Sequence, residues 1–259
     1  MPDLLVARHG DRCELTMNRP DRLNAVTEEL YEGLVRALAD AAADASVRVV
    51  LLRGAGRAFC VGADLKDHGV TERSEEEKRR YAQYGQDAAA AIMDCPKPVV
   101  AAVHGHAIGA GLELALACDL SVVADEAKLR FPEFVLGTFV GGGTTFTLVE
   151  RVGMTRAREL LLLGRFFRGA DAASWGVCNE AAPADEVGGR AEALADELAA
   201  KAPRSIAFAK QLLRQARDLR TAELLRAERD ALASCIGSAD WHEGLAAFRE
   251  KRAPVFRGE

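Results

Sequence analysis

Two short stretches constrain this chain more than any others: Val47-Arg48-Val49-Val50-Leu51-Leu52-Arg53 and Pro98-Val99-Val100-Ala101-Ala102-Val103. Each is a nearly unbroken run of branched or small apolar residues, too short for a helix of ordinary length. Neither shows the apolar–polar alternation of a half-buried strand. Runs of this kind belong to strands buried on both faces, as in a parallel sheet covered by helices. Leu120–Ala124 has the same character. Helical patterns lie between these strands. Thr27 can cap a helix from Glu28 to about Ala43, with Leu30, Leu34 and Leu38 on one face and Glu28 and Glu29 in its first turn. Ser74–Met93 reads as a charged amphipathic helix and Gly111–Ala117 as a short apolar one. Alternation of this sort predicts an α/β fold with right-handed connections.

The ends of the chain differ from its middle. Leu4–Arg8 and Cys13–Met17 flank His9-Gly10-Asp11 as a predicted hairpin, and Asn18-Arg19-Pro20-Asp21 reads as a turn. Strand signals stop after Asn179–Ala181. From Asp185 to Arg252 the pattern is helical, broken near Pro203, Thr221 and Asp240. The expected organisation is therefore a core over residues 1–200 and a helical C-terminal region over 201–259, which is expected to pack against a neighbouring subunit.

Two segments of small residues begin where a buried strand ends: Arg57-Ala58-Phe59-Cys60-Val61-Gly62-Ala63-Asp64-Leu65 and Gly105-His106-Ala107-Ile108-Gly109-Ala110-Gly111-Leu112-Glu113. In α/β sheets the carboxyl ends of strands are where ligands bind. Small side chains let the backbone approach a ligand closely, so two such loops can aim two N–H donors at one oxygen. Glu113 lies in the apolar stretch Leu112–Cys118, and Glu133 in Phe131-Pro132-Glu133-Phe134-Val135-Leu136. A glutamate with such neighbours must find partners or hold its proton more tightly. Two of them facing one pocket could share acid and base roles. Alone, either glutamate could equally be a helix-end ion pair, the glycines Gly141–Gly143 a plain turn, and Asp64 a helix cap. His104 and His106 read as structural, and Glu75–Arg80 as a solvated helix face.

Other chemistries fit less well. Gly54-Ala55-Gly56 follows a strand as a dinucleotide fingerprint would, but Phe59 stands where the third glycine belongs. Arg8-His9-Gly10 is the phosphate-binding triplet of histidine phosphatases in miniature, with His104 or His106 as possible partner, and a hairpin tip accounts for it equally well. A formal net charge of −5 argues against nucleic acid. No apolar run long enough to span a membrane and no leader-like N-terminus are evident, and the six cysteines contain no CxxC pair. They are expected to be reduced and mostly buried in a cytoplasmic protein, with no metal site.

Taken together, these blocks resemble the enoyl-CoA hydratase/isomerase (crotonase) superfamily almost from end to end. The similarity includes Asn18-Arg19-Pro20, Leu23-Asn24-Ala25, Phe59–Leu65, Lys97–Val103 and Gly109–Asp119. It continues through Phe131-Pro132-Glu133, Leu136-Gly137, Gly141-Gly142-Gly143-Thr144 and Phe248-Arg249-Glu250-Lys251-Arg252. The resemblance implies a spiral of ββα turns with a helical C-terminal oligomerisation region, assembled as a homotrimer or as a hexamer built from two trimers. It implies hydration of a 2-enoyl-CoA, with the amides of Ala63 and Ala110 holding the thioester oxygen and Glu113 and Glu133 handling water and proton. Gly141 would orient substrate and water. Arg22, Leu23, Ala25, Asp64 and Leu65 would hold the coenzyme A moiety, and Phe248 and Lys251 would reach coenzyme A on a neighbouring subunit. No metal or redox cofactor is implied, because coenzyme A belongs to the substrate. Isomerisation, hydrolysis and decarboxylation of related esters share the scaffold. Ala110 replaces a frequent glycine, Val140 a frequent proline, and Phe146-Thr147 a common polar pair, while His106 stands where an aromatic or apolar residue is more usual; these departures bear on acyl specificity.

Overall fold

A computed structural model describes residues 2–64 and 74–259. Leu4–His9 (β1) and Arg12–Met17 (β2) form the expected antiparallel hairpin, turned at Gly10. From β2 onward the main sheet is parallel. It continues through Val49–Gly54 (β3), Val99–Val103 (β4), Leu120–Ala124 (β6) and Glu180–Ala182 (β9), in the order β1-β2-β3-β4-β6-β9. All five residues of β4 and five of the six in β3 are buried. That is the two-sided burial expected of continuous apolar runs, and each buried valine or leucine contributes about 1.5–3 kcal/mol.

Helices cover the sheet. Thr27 caps Glu28–Ala43 (α1), its Oγ1 accepting from the Leu30 N–H at 3.1 Å, and Leu30, Leu34 and Leu38 face inward. Ser74 and Glu77 form a capping box at the start of Glu75–Asp94 (α2), which packs on α1. Ala110–Ala117 (α3) is buried from its second residue onward. Thr144–Leu163 (α4) follows the glycine cluster and kinks at Gly153, where φ is +71°. Gly169–Trp175 (α5) precedes β9, and Val187–Ala199 (α6) lies across β3, β4 and β6 on Val187, Ala191 and Ala195. The C-terminal helices are Pro203–Gln215 (α7), Thr221–Ile236 (α8) and Ala239–Glu250 (α9), with breaks where the sequence places them. Asp240 then accepts from the backbone amides of Arg257 and Gly258, fastening the chain end to α9.

A second sheet was not expected. His106–Ile108 (β5), Lys128–Arg130 (β7) and Phe167–Arg168 (β8) pair in the order β5-β7-β8. Strands of two or three residues are too short to display a period. The register of the main sheet also removes the phosphatase alternative. His9 pairs with Arg12, which sits beside Val49 at the start of β3; His104 follows the far end of β4. The two histidines occupy opposite ends of the sheet.

Candidate active site

The two small-residue segments meet at one cavity of about 1120 Å³. Cys60 pairs with Ala107 through the Cys60 N–H to His106 O and the Ile108 N–H to Cys60 O, stitching the first segment onto β5. On its other side, Val26 donates to Gly62 O and accepts from the Asp64 N–H. Since Gly62 and Asp64 both face Val26, the Ala63 N–H between them points away, and it has no hydrogen-bond partner among the described residues. The Ala110 N–H is likewise unpaired there, because Ala110 opens α3 and the first amides of a helix have no carbonyl behind them.

Glycines bring these two amides together. A Cβ on Gly62, where φ is +84°, would stand 2.6 Å from Ile108 O and 3.4 Å from Ala110 N. One on Gly111 would stand 2.2 Å from Cys60 O. Ala110 itself is absent from the positive-φ residues, so an alanine there is unstrained and its N–H stays available.

Both glutamates line the cavity and both are buried, Glu113 at 9% and Glu133 at 8% exposure. Glu113 sits one turn into α3, and its Oε1 accepts from the Gly141 N–H at 2.8 Å. Burial pushes its carboxyl up to about 7; the Gly141 amide opposes this and the neighbouring Glu133 adds to it. Glu133 follows Pro132 in a tight turn, with the Thr138 N–H donating to its carbonyl. Burial raises its carboxyl too, against the opposing pull of Arg130, and its Oε2 has no partner among the described residues. A Cβ on Gly109 would stand 2.6 Å from Glu133 Oε1, so this glycine leaves room for the carboxylate beside the start of α3. Two amides unpaired among the described residues and two buried carboxyls, each raised by burial, therefore share one chamber.

The enoyl-CoA hydratase/isomerase family model matches residues 10–259. The chain belongs to that family. It is 34% identical to the 2,3-dehydroadipyl-CoA hydratase of Escherichia coli over the full length of both chains. It is 38% identical to the mitochondrial enoyl-CoA hydratase domain-containing protein 2 of mouse, over 95% of this chain and 84% of that one. The crystal structure of an enoyl-CoA hydratase from Bacillus anthracis superposes with a TM-score of 0.95 at 32% identity, covering 99% of this chain and 100% of the other. The α/β fold is thus that of the crotonase enzymes.

Apart from Leu65, the remaining positions suggested by the family resemblance fall outside the cavity. Arg22 closes the short helix Pro20–Arg22 and is exposed; Leu23 and Asn24 follow with φ of +51° and +57°. Asn24 is fully buried and ties this turn to Ala55 O and Ala58 O, while Ala25 is buried beside it. Asp64 is buried, with its carboxylate 3.2 Å from the Arg19 guanidinium, which also donates to Ala25 O; a helix capped by it would begin outside the described residues. Leu65 lies outside the described residues. Phe248 and Lys251 lie at the end of α9 and at its cap, away from the cavity in the single chain. Helix α2 and most of residues 132–142 line the cavity. Phe146 instead stacks under Arg217, and Thr147 bonds back to Gly143 O. Sequence reasoning missed Tyr31 and Arg130 as lining residues. Tyr31 looks like one more apolar position on the inner face of α1; the only hint was Gly85 opposite it, a helix-weakening residue inside α2.

Proposed function

We propose that this chain is an enoyl-CoA hydratase that adds water across the 2,3 double bond of a 2-enoyl-CoA, with Ala63, Ala110, Glu113, Glu133 and Gly141 as its working residues. The observation that carries this reading is the meeting of two amides, unpaired among the described residues, with two buried glutamates in one cavity. As water attacks the β-carbon, negative charge gathers on the thioester oxygen, and the amides of Ala63 and Ala110 receive it. Loss of one such donor typically costs about 3 kcal/mol. One carboxylate takes the proton leaving the water, and the other carboxyl delivers a proton to the α-carbon. With Glu113 held near 7, it exists in both forms at neutral pH, which suits a pair that exchanges roles. Gly141 fixes the Glu113 carboxylate and thereby the water.

No metal or redox cofactor enters this chemistry, since the thioester acidifies the α-carbon and the site need only stabilise the enolate. Coenzyme A would lie along Arg22, Leu23, Ala25, Asp64 and Leu65. A neighbouring copy would contribute Phe248 and Lys251 in a homotrimer or hexamer; the apolar side chains left exposed on α7, α8 and α9 support assembly. No helix among the described residues is long and apolar enough to cross a membrane. Five buried, unpaired cysteines suit a reducing compartment, and we read the protein as cytoplasmic. The test is the loss of 2-enoyl thioester absorbance with crotonyl-CoA. Wild type should turn over, and Glu113→Gln and Glu133→Gln should each fall by roughly 10²–10⁴-fold. Binding of CoA esters without turnover would keep the family but move the reaction to isomerisation, hydrolysis or decarboxylation.

A further inference from the structure

The cavity wall formed by α1 and α2 holds a polar group that the hydration mechanism does not use. Tyr31 projects from α1 and is only 4% exposed, yet it lines the cavity, and its hydroxyl has no hydrogen-bond partner among the described residues. The residue facing it is Gly85, in the middle of α2: a Cβ there would stand 3.4 Å from the Tyr31 hydroxyl. Glycine inside a helix is unfavourable, and here it leaves open the space over the phenol. One residue further along α2, the Gln86 amide lies 3.7 Å from the position a Gly141 Cβ would take, and Glu113 Oε2 lies 3.3 Å from that same point. Tyr31, Gly85, Gln86, Gly141 and Glu113 thus form a continuous strip of wall running from the phenol to the proposed reacting centre.

An alkyl tail filling this part of the cavity would exclude water from the hydroxyl and leave it without a partner, which is costly, so a wall built only for a plain alkyl chain would favour phenylalanine at this position. Burial also raises the phenol well above its ordinary value, which keeps it a neutral O–H donor at any working pH. We infer that Tyr31, uncovered by Gly85, selects enoyl-CoA substrates whose acyl chain carries a hydrogen-bond-accepting oxygen. This rests on the hydratase reading and adds the substrate class to it.

The test compares kcat/KM for matched six- and eight-carbon 2-enoyl-CoAs that end in methyl, hydroxyl or carboxylate, for wild type, Tyr31→Phe and Gly85→Ala. Wild type should prefer an oxygen-bearing tail by about tenfold over the methyl-ended chain, the size of one hydrogen bond. The ratio of the two should fall toward one in Tyr31→Phe. It should fall similarly in Gly85→Ala, whose methyl fits at ordinary contact distance and covers the hydroxyl. The hydroxyl and carboxylate arms show which oxygen the site takes. A wild-type preference for the methyl-ended chain, or a ratio unchanged in Tyr31→Phe, would overturn the inference. Should no enoyl-CoA be turned over, the hydratase reading fails, and the same ratio read from dissociation constants of the saturated acyl-CoAs decides the tail preference separately.

Discussion

The parallel core and the C-terminal helices use the same apolar residue types in opposite surroundings. In β3 and β4 the valines and leucines are buried on both faces, and α6 closes over them. In α7 no residue is fully buried, Leu213 is 77% exposed, and on α9 Phe248 is 84% exposed. The core completes itself and can therefore hold strained and charged groups in a fixed place: unpaired amides, close-packed glycines and two buried carboxylates. The helices pack on one another and tie back to the core through Lys210 and Asp119, yet leave large apolar side chains exposed in the single chain. The contrast teaches that positioning of the proposed reacting groups is internal to one chain, while the exposed apolar surface of the C-terminal helices is what the proposed assembly would cover.

Four changes would break or sharpen that contrast. The largest effect should come from Gly111→Ala, whose Cβ would stand 2.2 Å from Cys60 O. Backbone has no room to yield, so the variant should lose about 3 kcal/mol in urea unfolding along with activity. Next, Glu113→Gln removes a buried titratable group. Its carboxyl is raised from 4.5 to about 7, so the folded state keeps a proton that the unfolded chain releases. Wild-type stability must then fall as pH rises through that window, by at most about 3 kcal/mol. Glu113→Gln should accordingly gain stability relative to wild type between pH 4.5 and 8 in denaturant titrations at each pH. A flat difference would place the charge in solvent.

In the outer region the expectations reverse. Leu232→Ser on α8 should leave monomer unfolding within about 0.5 kcal/mol, the range for an exposed site. Sedimentation should nevertheless show a weakened assembly. The smallest effect belongs to Phe248→Ala, which should raise KM for a CoA ester by about threefold at unchanged kcat if its ring touches coenzyme A on a neighbour; a contact of this kind is worth about 0.6 kcal/mol. A stability loss without any KM change would make it a packing residue instead.

Much of this arrangement is legible from sequence, for reasons that vary by element. Val47–Arg53 and Pro98–Val103 announce buried strands because burial on both faces leaves no polar position within Val49–Leu52 or Val99–Val103. Thr27 and Ser74 announce helix starts because a capping hydroxyl must stand immediately before the first turn. Glu113 and Glu133 stand out because their neighbours are apolar. The second sheet, by contrast, consists of strands of two or three residues held by pairing partners distant in the chain. Asp64 could be read as a cap or a ligand contact because its partner, Arg19, lies 45 residues away. Tyr31 stays hidden for a similar reason, since only the packing of α1 on α2 sets Gly85 opposite its hydroxyl.

The most direct test of two-glutamate hydration is the fate of labelled water. Wild-type enzyme would be given crotonyl-CoA in H₂¹⁸O, and the products would be resolved by mass spectrometry. Label at the β-carbon of an intact 3-hydroxyacyl-CoA, lost in both Glu113→Gln and Glu133→Gln, is the expected result. Label appearing in a released carboxylic acid, or an unlabelled rearranged thioester, would contradict it.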